Sequence, residues 1–253
     1  MPSSTLRVQH TSLQFSDTES QQVRDVQKLF ATGKDYPIKT GTEGGAETFS
    51  YDALRYVGKE FNHAVHIVRG NWIAIDRAII EPKSLDRGQE FVVKNDFVVG
   101  KMHDRILTTV EFDHRNPRIG HIGVGAAHYP TKGRLPSDPN NDINKKYADV
   151  IAQWMKETAK GHDLAFVHGD FNMLDNQKRQ DWSFGENWTS MADELGAWKN
   201  TGHGPIDGFA SYDNDGRVKA KYFRVLDDSE LKMFTDHFVV RGAWTVGHLK
   251  LNK

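Results

Sequence analysis

The chain contains no cysteine. That excludes disulfides and thiolate metal sites, and leaves any bound metal to oxygen and imidazole ligands. It also leaves the redox compartment undetermined. Long hydrophobic runs are missing too: nowhere are there the roughly 18 consecutive apolar residues of a membrane-crossing helix. The opening Met1-Pro2-Ser3-Ser4-Thr5-Leu6-Arg7 lacks the apolar core of a secretory leader, so a cytoplasmic protein is the expectation. Nor is one sign of charge in excess, with 33 Lys and Arg against 34 Asp and Glu. No global field therefore pulls the chain onto nucleic acid or an anionic membrane, although a local basic groove is compatible with this balance. No internal repeat, linker or low-complexity stretch interrupts the sequence. What is present, 253 residues of which 38% are hydrophobic and 11% aromatic, predicts a substantial core and one domain over 1–253.

Apolar periodicity switches between strand-like and helix-like along the chain. Residues 6–15 alternate as a strand does. Val23, Val26, Leu29 and Phe30 then recur at helical spacing from about Glu19, with Gly33 as the stop. Residues 37–42 read as a short strand, and Ser50 and Asp52 as caps of a helix carrying Leu54, Val57 and Phe61. The region that follows is mostly β, with strand candidates at 64–68, 72–80, 91–99, 106–112 and 119–128 separated by turn-forming residues. A polar loop at 130–141 leads into the clearest helix, where Ile143, Tyr147, Val150, Ile151, Trp154 and Met155 share one face before Gly161. A buried strand at 164–167 comes next. Loops with one short helix at 191–195 are expected after it, then strands at 206–211, 220–226 and 238–244. This order suits two packed sheets flanked by helices.

The most informative stretch is Ala165-Phe166-Val167-His168-Gly169-Asp170-Phe171-Asn172. An apolar strand runs there into a carboxylate and a carboxamide, and Gly169 permits a sharp turn or a close backbone approach. Asp170 and Asn172 are expected at the carboxyl edge of a sheet, where open α/β sheets bind ligands. A hard oxygen ligand and a neutral donor two residues apart suit a metal-bound phosphate; a strand-ending Asx turn accounts for the same pair. Four more polar clusters fall at or just after expected strands: Glu43, His128, Asp207 and Asp236-His237. Singly, each reads equally as a turn acid, a core histidine or a solvated pair. Jointly they describe what a hydrolase needs. A carboxylate can orient and stabilise an imidazole, and a neighbouring aspartate pointing the other way along an extended chain can face a metal.

In order, Glu43, His128, Gly169-Asp170-Phe171-Asn172, Ile206-Asp207 and Thr235-Asp236-His237 resemble the endonuclease/exonuclease/phosphatase superfamily, the DNase I-like phosphodiesterases. The resemblance spans Leu6 to about Trp244. It implies a single catalytic domain over 1–253 with an α/β fold: two packed, mixed and mostly antiparallel sheets flanked by helices in a four-layer α-β-β-α sandwich. It implies that Glu43 is the main metal-binding carboxylate, that Asp170 is a metal or water ligand and that Asp236 contributes to a metal site. Magnesium or manganese is the implied cofactor, given all-oxygen ligands. Asn172 would hydrogen-bond the scissile phosphate or the nucleophile. His237, oriented by Asp207, would be the general base or a phosphate-stabilising imidazolium, and His128 would contact the phosphate or leaving group. The Arg105 fork would match phosphate oxygens.

This chain departs from the family pattern in places. Ser12 stands where the family carries an asparagine near the metal, and would hold a metal only through water. Thr42 precedes Glu43 where glutamine is common, the glutamate-threonine-lysine word of the exonuclease III-like abasic-site nucleases is missing, and Pro205 stands where an arginine is usual. These changes weigh against a DNA-repair role. The expected activity is phosphodiester hydrolysis with DNA or RNA as substrate. A phosphatase or phospholipase acting on a small or lipid phosphoester is the alternative, and a non-catalytic binding module is a third reading. Lys132-Gly133-Arg134, Lys145-Lys146, Lys178-Arg179 and Trp182 could serve a nucleic-acid strand by charge and stacking. They serve equally as solvated loop and helix faces.

Overall fold

The computed structural model describes residues 2–12, 19–42, 51–68, 70–85, 89–93, 105–129, 141–171, 188–197, 201, 207–232 and 237–250. Two parallel strand pairs organise it. The first is β1 (Ser3–Ser12) beside β2 (Ile38–Thr42), joined by α1 (Glu19–Thr32). The second is β7 (His121–His128) beside β8 (Leu164–Asp170), joined by α3 (Asn141–Thr158). Parallel neighbours need a crossover connection, and two helices legible in the sequence from their apolar spacing, α1 and α3, supply them. Between these units lie α2 (Tyr51–Glu60), β3 (His63–Val68), β4 (Asn71–Asp76), β5 (Gln89–Val93) and β6 (Arg105–Asp113). After β8 come β9 (Trp188–Ser190), α4 (Met191–Leu195), β10 (Asp207–Tyr212), β11 (Val218–Leu226) and β12 (Val239–Gly247).

The strands form two six-stranded sheets, ordered β11-β12-β1-β2-β4-β3 and β5-β6-β7-β8-β10-β9. All pairs other than the two crossover pairs are antiparallel. The facing sheets bury Leu6, Val8, Ile38, Ile73, Ile75, Phe112, Val124, Phe166, Phe209 and Trp244 between them. On the outer face of the first sheet, Val26, Leu29 and Phe30 of α1 and Leu54 and Val57 of α2 pack against Trp72 and Ala74. On the outer face of the second, Tyr147, Ile151, Trp154 and Met155 of α3 cover Ala127, Ala165 and Val167. Each face of each sheet is thereby apolar, which gives the expected helix-sheet-sheet-helix layering. The small residues of β7 have a packing reason: a Cβ on Gly125 would sit 2.9 Å from the Trp154 ring.

Several boundaries differ from the sequence expectation. β4 stops at Asp76 rather than at 80, because the Asp76 carboxylate accepts a hydrogen bond from the Ala78 amide at 2.8 Å and turns the chain. Ile80 keeps only an isolated bridge to His114. β1 begins at Ser3, three residues early, since β12 pairs with it from Gly247 onward. β9 was not anticipated; three residues carry no period, and its place comes from pairing with β10. β8 does not bend at Gly169 but continues in register through Asp170. A Cβ on Gly169 would lie 2.1 Å from the Ala127 carbonyl oxygen, so this glycine serves close approach and not a turn.

Candidate functional site

Alternation along the strands sends residues of one parity into the space between the sheets. On β1 these are Leu6, Val8, His10 and Ser12, on β2 Ile38, Thr40 and Thr42, and on β8 Leu164, Phe166, His168 and Asp170. Each series starts apolar and ends polar. The space between the sheets therefore changes from hydrocarbon to hydrogen-bonding groups at the carboxyl ends of both parallel pairs. His10, Ser12, Thr40, Thr42, His168 and Asp207 are fully buried there, with His128, Asp170 and His237 nearly so.

Strand register brings three of these groups into one row. His128 of β7 is directly opposite Asp170 of β8, and Asp170 is directly opposite Asp207 of β10. The His128 Nε2 lies 3.5 Å from the Asp170 Oδ2. His237, just before β12, contacts Asp207 with Nδ1 2.9 Å from Oδ2. Thr201 braces this pair: its hydroxyl accepts from the Asp207 amide at 3.3 Å, and its carbonyl accepts from the Phe238 amide at 2.8 Å. Burial works against ionisation of Asp207, yet hydrogen bonding and charge from His10 and His237 hold its carboxyl below the usual carboxylate range. An ionised carboxylate only accepts, so the His237 Nδ1 carries the proton and Nε2 is the basic nitrogen.

Asp170, Asp207 and His237 each offer a ligand atom within 4.8 Å of the others. Two adjacent buried carboxylates are costly without compensating positive charge. A group of oxygen and imidazole donors this close together could hold a metal ion. Ser12 is buried at the end of β1, facing the same polar space. Glu43, Asn172 and Asp236 lie outside the described residues, as does the side chain of Arg105, whose backbone opens β6. So do Lys132, Gly133, Arg134, Lys178, Arg179 and Trp182, while Lys145 and Lys146 are exposed on α3.

Sequence reading passed over His10, Thr40, His168 and Asn71. The Asn71 side-chain amide, at the start of β4, donates across the sheets to the Ile106 carbonyl at 2.6 Å and the Ala126 carbonyl at 3.2 Å. Parity was the available signal: His10 and His168 share a strand face with the core residues that precede them.

Structural relatives carry the same architecture. An endonuclease/exonuclease/phosphatase protein from Bacteroides vulgatus matches 96% of this chain and 99% of its own at 15% identity, with a TM-score of 0.71. The catalytic domain of human Nocturnin, solved with a sulfate anion, matches over 96% and 94% at 10% identity, with a TM-score of 0.74. TDP2 from D. rerio, complexed with a single-strand DNA product, matches over 95% and 99% at 11% identity, with a TM-score of 0.68. No family model and no curated protein matches the chain in sequence. The chain thus has the endonuclease/exonuclease/phosphatase fold, a DNase I-like sandwich of two mixed sheets between helices.

Proposed function

We propose that this chain is a divalent-metal-dependent phosphodiesterase acting on nucleic acid, with residues 1–253 as one catalytic domain. The observation that carries the reading is the buried His237–Asp207 pair facing Asp170 at the polar end of this fold. TDP2 from D. rerio, which shares this fold, is complexed with a single-strand DNA product, which supports a nucleic-acid strand as substrate here. No helix of the structure is long and apolar enough to cross a membrane, among the described residues.

In this mechanism Asp207 fixes the His237 ring and its tautomer, and the His237 Nε2 takes the proton of the attacking water. His128, two strands along the row from Asp207, contacts the phosphate or the departing oxygen, with the Arg105 fork on the phosphate oxygens. Asn172 hydrogen-bonds the phosphate or the attacking water. Asp170, with Glu43, Asp236 and a water on Ser12, would hold magnesium or manganese. When bound, the cation neutralises phosphate charge and stabilises the leaving oxygen.

The test is a metal-dependence screen of the purified protein on bis-p-nitrophenyl phosphate, p-nitrophenyl phosphate, and single- and double-stranded DNA and RNA. Diester cleavage without monoester cleavage is expected; the reverse would replace the proposal with a phosphatase. His237→Ala and Asp170→Ala should each lose about 10²–10⁴-fold in turnover. Near-wild-type activity in either variant would place the chemistry elsewhere.

A further inference from the structure

Behind the His237–Asp207 pair, buried polar groups continue into the space between the sheets. The second oxygen of Asp207, Oδ1, faces the Nε2 of His10 at 3.6 Å. Among the described residues, neither atom has a hydrogen-bond partner within 3.5 Å. The other ring nitrogen of His10, Nδ1, lies 3.0 Å from the Thr40 hydroxyl, and that hydroxyl lies 3.1 Å from the Nδ1 of His168. His168 stands edge-on to Phe209, with ring centroids 4.9 Å apart. All four residues beyond His237 are fully buried, and they come from both sheets: Asp207 and His168 from one, His10 and Thr40, paired on adjacent strands, from the other.

Proton positions along this series follow from its acidic end. An ionised Asp207 can only accept, so the His10 tautomer that suits the 3.6 Å approach turns Nε2–H toward Oδ1; the opposite tautomer would set two lone pairs face to face in a dry interior. The Nδ1 of His10 is then an acceptor. The Thr40 hydroxyl donates to it, in preference to the Gln9 carbonyl at 3.5 Å, and accepts from the His168 Nδ1–H. Each link points the same way, from His168 toward Asp207.

We propose that His10 is a positioning residue for the His237–Asp207 pair, itself aligned by Thr40 and His168; only the rate readout of this inference rests on the phosphodiesterase reading. A carboxylate held by one imidazole can rotate about its own axis. Hydrogen-bonded by His237 at Oδ2 and faced by the His10 ring at Oδ1, it favours one orientation, and so does His237. The series also explains why two imidazoles and a hydroxyl occupy core positions where Leu or Val would pack without polar cost.

The experiment compares His10→Met, which removes the donor at similar volume, with His10→Gln, whose side-chain amide can donate from near the Nε2 position. Long-range proton–nitrogen spectra of the imidazoles in the full chain report the His237 tautomer without any substrate. The expected result is a single Nδ1-protonated His237 in the wild type and in His10→Gln, and a mixture of tautomers in His10→Met. On bis-p-nitrophenyl phosphate, His10→Met should lose about 10–100-fold in kcat with KM little changed, as for outer residues that orient a ligating or catalytic group. His10→Gln should recover most of that loss. Equal losses in both variants, or an unchanged His237 spectrum in His10→Met, would reduce His10 to a packing residue. Should His10→Met not fold, Thr40→Val removes the link one step back, and the same two outcomes decide. An inactive wild type with the expected spectra would refute the phosphodiesterase reading and leave the positioning role standing.

Discussion

Gly169 offers the sharpest test of how the polar row is held. In Gly169→Ala the new Cβ would begin 2.1 Å from the Ala127 carbonyl oxygen, against 3.0–3.4 Å for even tight contacts. The obstacle is backbone on a central strand pair, so no side chain can swing aside. β8 must move from β7 by about 1 Å, which stretches a ladder hydrogen bond of about 2.9 Å beyond the useful range. One or two such bonds weakened in a dry interior cost about 1–3 kcal/mol each. Lower chain entropy in the unfolded variant offsets about 0.4–1 kcal/mol. These terms span a net loss of about 0–5.6 kcal/mol in urea unfolding, centred near 3 kcal/mol. Gly161→Ala is the control: its φ is +66° and nothing lies within 4 Å of the added carbon, so only left-handed strain of about 1–2 kcal/mol applies. If Gly169→Ala proved no more destabilising than Gly161→Ala, close strand approach would not be the reason for this glycine. Because Asp170 is the next residue, a shift of about 1 Å should also cost on the order of 10²-fold in turnover on bis-p-nitrophenyl phosphate.

Other consequences can be measured independently. Magnesium or manganese at about 100 times its dissociation constant should stabilise the wild type by about 2.7 kcal/mol, and Asp170→Asn should abolish that increment in a thermal melt; an equal increment in the variant would remove Asp170 from the metal site. His121, on β7 far from the polar row, has its pKa raised to about 9 by hydrogen bonding to Glu111, against burial and with help from Asp113. Its raised affinity stabilises the fold fully below about pH 6.5 and fades as pH climbs through about 9, so the stability gap to His121→Ala should close over that window. His63 behaves oppositely: burial first, and Lys39 second, lower it to about 4. The unfolded chain takes up a proton there that the folded chain refuses, so stability drains from about pH 6.5 down to 4, and His63→Gln should flatten that limb of the urea-unfolding profile.

The sequence was most legible where period and punctuation agreed. The Glu19–Thr32 helix, stopped by Gly33, and the Met191–Leu195 helix follow their expected bounds. An Asp207 that orients His237 was implied by the family resemblance, and the two side chains lie 2.9 Å apart. Strand ends were less legible, because they depend on partners: β1 starts where β12 reaches it, and Asp76 ends β4 by capturing an amide. Gly169 had two meanings in sequence, and only the distance to Ala127 separates them. His10 and His168 stayed hidden for a different reason. A histidine among alternating residues looks like a polar position until the strand's parity is fixed, and parity is a property of the sheet.

The row of His128, Asp170 and Asp207 has a further implication for change over time. Neighbouring strands sit about 4.8 Å apart wherever backbone hydrogen bonds join them, so the spacing of these three side chains belongs to the peptide ladder and to no loop. Loops around the rim can lengthen, shorten or exchange their charges without disturbing that ruler. Novelty in what such a protein recognises can therefore accumulate at the rim while the three-strand gauge beneath stays constant.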